Sequence, residues 1–393
     1  MTSKTSSPLI MMVAGEVSGD VHGARLVSEI SKKDKTVRFI GVGGEHMRQE
    51  GVHLYHDISE LAVLGLVEVL INYPRIRSVF YDVLNVIRER KPDAVVLIDY
   101  PGFNIRLAKQ IKKLGIPVIY YISPQVWAWA TFRKNKIAKR VDKMLVFFEF
   151  EKDFYADTGL DVEFVGHPLV DHFNITVTKE DFYRANKLSL NKKKIAILSG
   201  SRKNEILKIL PVMIKSAYKV GTLRDDVEFI LPIGSSLSQQ IRDLISSLLR
   251  EYKVYDNDNI KVIDGQVHET MAYSDLALVA SGTATLETAC FETPMIIVYK
   301  VNFITALLAR MLIKIPYIGL VNVVAGDKIV PEFLQNDAKP DKIAETAVKY
   351  ISDDNYLAQK KLVLRNVHKK LGQPGAVVRV AQIVLDFLKR RKK

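Results

Sequence analysis

The stretch Leu276–Ala289, LALVASGTATLETA, sets the terms for the whole chain. An apolar run, Leu276–Ala280, stops at Ser281-Gly282-Thr283, and helix-forming residues follow. A run so short and so apolar, closed by a small-residue turn, predicts a buried parallel strand feeding a helix. The first amides of a helix lack internal partners and carry the positive end of its dipole. Small side chains there let an anion approach the backbone. Glu287 stands one turn beyond Thr283 on the same helix face, placed to accept hydrogen bonds from sugar hydroxyls beside a phosphate. Taken alone, the stretch is also the ordinary strand–helix turn of a doubly wound sheet, capped by Ser281.

The same pattern recurs along the chain. Pro8–Ala14 precedes GEVSGDVHGARLVSEI, where Gly15, Gly19 and Gly23 permit close backbone approach. Glu16, Ser18 and Asp20 bring polar groups to that strand's carboxyl end, although the spacing is not the G-x-G-x-x-G of a dinucleotide site. Val37–Val42, Ala94–Ile98, Val118–Ile122 and Met144–Phe148 read as further strands. Ala94–Ile98 ends on Asp99. An acid at the carboxyl end of a parallel strand points into the crevice where open α/β sheets bind ligands, so Asp99 is a candidate general base, or the cap of the next turn.

Residues 172–192 are polar, lack strand signals, and read as an inter-domain connection. The pattern then restarts at Lys194–Leu198, and SGSRKNEI follows, with Arg202 placed to meet an anion at the start of a helix. Val227–Pro232, Ile260–Ile263, Leu276–Ala280 and Met295–Tyr299 continue the series. Two successive α/β halves predict two Rossmann-like domains facing a central cleft, 1–172 and 193–370. A basic helical tail, 371–393, completes the chain, its helices able to pack back onto the first domain. Fold alone does not decide function.

Composition narrows the choices. A length of 393 residues exceeds one typical core. The single cysteine, Cys290, excludes an intrachain disulfide framework and cysteine-built metal sites, and its apolar helical setting reads as core filler. The eight histidines show no metal-binding spacing, so neither metal nor cofactor is expected. A net charge of +13 asks for an anionic partner, nucleic acid or anionic lipid, and no nucleic-acid motif is present. Trp127 and Trp129, followed by Arg133, Lys134, Lys136, Lys139 and Arg140, would stack on bases; core tryptophans beside a solvated basic helix explain them more simply. The N-terminus lacks a signal-peptide pattern, and no apolar run reaches the roughly 18 residues of a membrane span. Val301–Ile313 comes nearest but contains Arg310. A soluble or peripheral protein is expected. Leu61–Ile87, interrupted by Pro74, reads as two core helices or as a surface that meets acyl chains.

Together the motifs identify a family. AGEVSGDVHGA (14–24), GLVEVL (65–70), IDYPGFN (98–104), SPQVWAW (123–129), VGHPLVD (165–171), LSGSRKNEI (198–206), ASGTATLE (280–287) and NVVAGDKIVPEFLQ (322–335) stand in this order. The chain resembles the lipid-A-disaccharide synthases, GT-B glycosyltransferases of Gram-negative bacteria. The resemblance implies an inverting transfer in lipid A biosynthesis. UDP-2,3-diacylglucosamine is the donor, 2,3-diacylglucosamine 1-phosphate the acceptor, and a β-1,6-linked disaccharide 1-phosphate and UDP the products. It implies a peripheral enzyme on the cytoplasmic face of the inner membrane, an anionic surface as partner, no nucleic acid, and is compatible with a homodimer.

Carried onto these residues, the resemblance makes Asp99 the base. Glu16 is a second acid that orients sugar hydroxyls, or the base in its place. Ser18 and Gly19 of the same loop contact substrate. Arg202 and the amides at Ser281, Gly282 and Thr283 take the leaving diphosphate, Glu287 the ribose, and Asn322 faces the donor from the second domain. No divalent metal is needed if helix dipole and arginine carry the diphosphate charge. Two positions depart from the family pattern: Ala130 where arginine is common, and Ser199 in place of a proline. Another GT-B activity on UDP-N-acetylglucosamine, an epimerase or a transferase with a different acceptor, would share the donor features.

Overall fold

The computed structural model describes residues 7–61, 72–173, 175–302 and 315–391. The GLVEVL motif and most of the Val301–Ile313 run lie outside the described residues. The chain divides into two compact units, residues 1–171 with 371–393, and residues 172–370.

In the first unit, β1 (Leu9–Ala14), β2 (Arg38–Gly43), β3 (His53–Asp57), β4 (Ala94–Ile98), β5 (Val118–Tyr121), β6 (Lys143–Val146) and β7 (Asp161–Phe164) form a parallel sheet in the order β3-β2-β1-β4-β5-β6-β7. In the second, β8 (Lys193–Leu198), β9 (Val227–Ile233), β10 (Ile260–Asp264), β11 (Leu276–Ala280), β12 (Met295–Tyr299) and β13 (Glu332–Leu334) form another, in the order β10-β9-β8-β11-β12-β13. The central strands are apolar at nearly every position because helices cover both faces of a parallel sheet; every residue of β4, β5 and β11 is buried. The edge strands β3, β7 and β13 escaped the sequence reading. They are only partly buried and carry His53, His56, Asp161 and Glu332 among their few residues.

Strand order reverses between β1 and β4, and again between β8 and β11. At such switch points the loops part and leave a crevice at the strands' carboxyl ends. Register determines what meets there. Ala14 lies opposite Ile98, so the residues after β1 and after β4 leave the sheet at one level. Leu198 lies opposite Val279, which does the same for the turns after β8 and β11.

One expectation changes, that of 172–192 as a connection. Pro74 does break the Leu61–Ile87 run: it occupies the first turn of the helix Tyr73–Arg90, where its missing N–H is not needed. The 172–192 segment is part of the second unit. It forms a helix, Lys179–Ala185, whose Phe182 and Tyr183, with Leu188, pack on Ile230 and Ile263; so few apolar residues in a polar setting leave little periodic signal. The last helix, Ala376–Arg391, packs back onto the first unit, the arrangement the sequence left open. It buries Val380, Ala381, Val384 and Leu388 in the first unit, and its Arg379 donates from Nε to the Val165 carbonyl at 2.9 Å. Among the described residues no helix is long and apolar enough to cross a membrane.

Candidate active site

Asp99 and Tyr100, directly after β4, both adopt left-handed backbone (φ 44° and 47°) before the helix Pro101–Lys113 begins. Such a conformation costs a non-glycine residue roughly 1–3 kcal/mol and persists only where its surroundings over-determine it. Here they do. The Asp99 N–H donates to the Tyr121 carbonyl at 3.0 Å. The Tyr120 hydroxyl and Asn104 Nδ2 donate to the Asp99 carbonyl at 2.6 and 2.8 Å, and both side chains are fully buried. Tyr100 lays its ring against Gly15, where a Cβ would come within 2.2 Å of it, and its hydroxyl donates to the Leu61 carbonyl at 2.8 Å. Only glycine fits at position 15.

The Asp99 carboxyl is pushed up to about 6, first by burial and then by the charge of Glu16; a hydrogen bond from the Tyr100 backbone pulls the other way. Glu16 is exposed at the head of the helix Val17–Lys33, and its side chain makes no capping bond. The switch point of the first sheet therefore brings two carboxylates together, one shielded and one in water.

Ser18 is exposed on the same turn, whereas Gly19 is buried, and a Cβ there would stand 3.3 Å from that of Ala14. Gly19 thus lets the helix sit down on β1. Asp20 does not join the site. Its carboxylate accepts from the Gly44, His46 and Met47 amides at 2.6, 3.1 and 3.1 Å, stapling the start of the helix Glu45–Gln49.

In the second unit, Gly282 takes φ 147°, which disfavours any other residue. It heads the helix Thr283–Cys290 with no side-chain cap. Ser281 is not that cap: its hydroxyl donates to the Ile318 carbonyl at 3.3 Å. The Ser281 amide, expected to meet the diphosphate, is instead taken by the Val298 carbonyl at 3.3 Å, and the Thr285 amide donates to the Gly282 carbonyl at 3.1 Å, which leaves the Thr283 and Ala284 amides as the leading donors. Across the switch point, a Cβ on Gly200 would meet Glu205 Oε2 at 2.8 Å and Ala280 Cβ at 3.4 Å, so the turn after β8 lies against the end of β11. Arg202, on that turn, holds its guanidinium 83% exposed, with Nη1 3.1 Å from Glu205 Oε1. Glu287 is half-buried; burial raises its carboxyl above the ordinary range and nearby His268 offsets part of the rise.

Asn322 has a different task from the one expected. It is fully buried, donates from Nδ2 to the Val330 carbonyl and Glu332 Oε1 at 2.9 and 2.8 Å, and accepts from the Ile329 and Val330 amides at 3.0 Å each. With both amide hydrogens and both lone pairs engaged, it supports the 326–332 turn and has nothing left to face a donor. Its partner Glu332, which also accepts from the Ile318 and Gly319 amides at 3.0 Å, was missed. So were Tyr120 and Asn104. Glu332 and Asn104 stand inside recognised motifs, but their partners are backbone groups that spacing does not reveal. Cys290 is buried, its thiol pushed up to about 12 by that burial, as core filler would be. Trp127 is buried and donates from Nε1 to Glu151 at 3.2 Å, while the half-exposed Trp129 carries the Arg133 guanidinium over its ring at 5.0 Å. Among the described residues no cluster of three histidine, cysteine or acidic side chains could hold a metal.

The model of the lipid-A-disaccharide synthetase family matches residues 10–387. The lipid-A-disaccharide synthase of Geobacter sulfurreducens is 41% identical over 389 residues, covering 99% of each chain. That of Syntrophus aciditrophicus is 40% identical over 386 residues, 98% of this chain and 99% of the relative. Among solved structures, the S. aureus MnaA–UDP co-structure superposes with a TM-score of 0.62 at 15% identity over 97% of both chains, a likeness of fold. The fold is of the GT-B type, two Rossmann-like α/β units. The family match takes in both sheets and every residue at their switch points, so this chain belongs to the lipid-A-disaccharide synthetase family of glycosyltransferases.

Proposed function

We propose that this chain joins UDP-2,3-diacylglucosamine to 2,3-diacylglucosamine 1-phosphate with inversion at the anomeric carbon. The acceptor hydroxyl oxygen bonds to that carbon as the bond to UDP breaks on the opposite face. The hydroxyl proton passes to the Asp99 carboxylate, and UDP leaves with the electron pair. The products are the β-1,6-linked disaccharide 1-phosphate and UDP.

The observation that carries this reading is the carboxyl of Asp99, held on a strained elbow and pushed up to about 6. Such a group is ionised at neutral pH yet basic enough to take a proton in the transition state. Glu16 supports it by orienting sugar hydroxyls and by the charge that raises it. In the second unit, the leading amides of Thr283–Cys290 and the exposed guanidinium of Arg202 are suited to the diphosphate, whose growing charge they would stabilise. Glu287 is assigned the ribose hydroxyls. Family membership supports the donor and acceptor classes. The net charge of +13 supports work on an anionic lipid surface, which we take to be the cytoplasmic face of the inner membrane.

The test is to incubate purified protein with both diacyl substrates in detergent and read the products by mass spectrometry. Disaccharide 1-phosphate and UDP in equal amounts are expected. Turnover of non-acylated UDP-N-acetylglucosamine alone would overturn the assignment.

A further inference from the structure

One cavity of the first unit has chemistry that the transfer step does not use. It measures about 600 Å³, within the range of small-ligand sites, and lies beside the helices Tyr73–Arg90 and Pro101–Lys113. Ile76, Phe80, Tyr100 and Phe103 form its apolar wall; Phe80 and Phe103 meet edge to face at 5.5 Å. Arg77, Arg106, Lys109, Lys136 and Arg140 line it too, and among the described residues no aspartate or glutamate does. Arg77 lies over the Tyr81 ring at 5.7 Å, and Arg140 donates to the Ile105 carbonyl at 3.0 Å. Among the described residues, Arg106, Lys109 and Lys136 have no ion-pair partner. Five cations around an aromatic wall, with no acid among the described lining residues, complement a ligand that is anionic at one end and apolar at the other. Tyr100 ties the cavity to the chemistry: its ring is part of the wall, and its neighbour in the chain is Asp99.

We propose that this cavity is the subsite for the phosphate and an acyl chain of the acceptor, a phosphorylated glycolipid. The assignment rests on the transfer reaction proposed above. Arg106 and Lys136, both exposed, take the phosphate, and the aromatic wall takes the acyl chain.

The test compares the full-length wild type with the double variant Arg106→Gln/Lys136→Gln. A control, Lys35→Gln/Lys113→Gln, removes the same charge from exposed lysines of the first unit that are not part of the cavity lining. Equilibrium binding in mixed micelles is measured for 2,3-diacylglucosamine 1-phosphate and for 2,3-diacylglucosamine, with sedimentation on phosphatidylglycerol vesicles and KM for each substrate alongside. The cavity variant is expected to bind the phosphorylated lipid about tenfold more weakly or worse. Binding of the unphosphorylated lipid and KM for the UDP-sugar stay at wild-type values, and the control pair leaves all five readings unchanged. An equal loss in the control pair would reduce the effect to net charge and overturn the proposal. Loss of vesicle sedimentation with acceptor binding unchanged would also overturn it, in favour of a bilayer phospholipid. If the wild type forms no disaccharide, the reaction assigned above fails, and the cavity is judged on lipid binding alone.

Discussion

Asp99 holds its proton more tightly in the folded protein than a free carboxyl would, and this has a consequence for stability. A rise from 3.8 to about 6 corresponds to roughly 3 kcal/mol, at about 1.4 kcal/mol per pH unit. Between those values the folded state binds more protons than the unfolded one, so stability falls as pH rises through the window, and the full penalty stands above it. Replacing Asp99 by asparagine should therefore stabilise the first unit by up to about 3 kcal/mol at about pH 8, with the gain vanishing below the ordinary carboxyl value of 3.8. Denaturant unfolding of both proteins at the two pH values checks this; a variant no more stable at the higher pH contradicts the burial assigned to Asp99. The same shift predicts that kcat/KM falls as pH drops below about 6. Asp99 was legible in the sequence because an acid ending a five-residue apolar run has few other places to be. Its supports were not legible. Tyr120 reads as one more apolar strand residue, and the bonds from its hydroxyl and from Asn104 end on a carbonyl, which leaves no trace in spacing.

At the scale of elements, the strand–turn–helix units form the seat proposed for the donor. The turns after β8 and β11 are adjacent because the strands pair in register, and each turn needs a glycine with positive φ, Gly200 at 91° and Gly282 at 147°. Arg202→Ala should weaken UDP binding by about tenfold, the scale of one charge-assisted contact to a diphosphate. It should leave thermal stability unchanged, because the guanidinium is exposed. Glu287→Gln should weaken binding less, because the amide retains one acceptor. Calorimetric titration with UDP decides, and undiminished binding in both variants would contradict the seat described. The central strands were readable from their unbroken apolar runs; of the edge strands β10 was read, but β3, β7 and β13 were not, because partial burial leaves a mixed pattern in a few residues. Asn322 shows the limit in the other direction. Its motif marked the position correctly as special, but full burial makes it a brace for a turn instead of a contact for substrate.

For the whole molecule, the restart of the strand series after residue 192 announced two α/β units, and the structure divides near it, at 171/172 and 370/371. The return of Ala376–Arg391 to the first unit was open in the sequence, since an amphipathic helix does not say which surface it covers. Charge belongs to this scale as well: the excess of +13 is a property of the chain, and the cations beside Tyr100 are its local concentration. The central claim, that Asp99 is the base of the proposed transfer, is tested most directly by one comparison. Wild type and Asp99→Asn are assayed side by side for disaccharide formation and for equilibrium binding of the UDP-sugar. The account predicts a loss of turnover of roughly 10²–10⁴-fold, the range for removing a general base, with donor affinity within about twofold of wild type. Turnover close to wild type, or a loss explained by a donor that no longer binds, would contradict it.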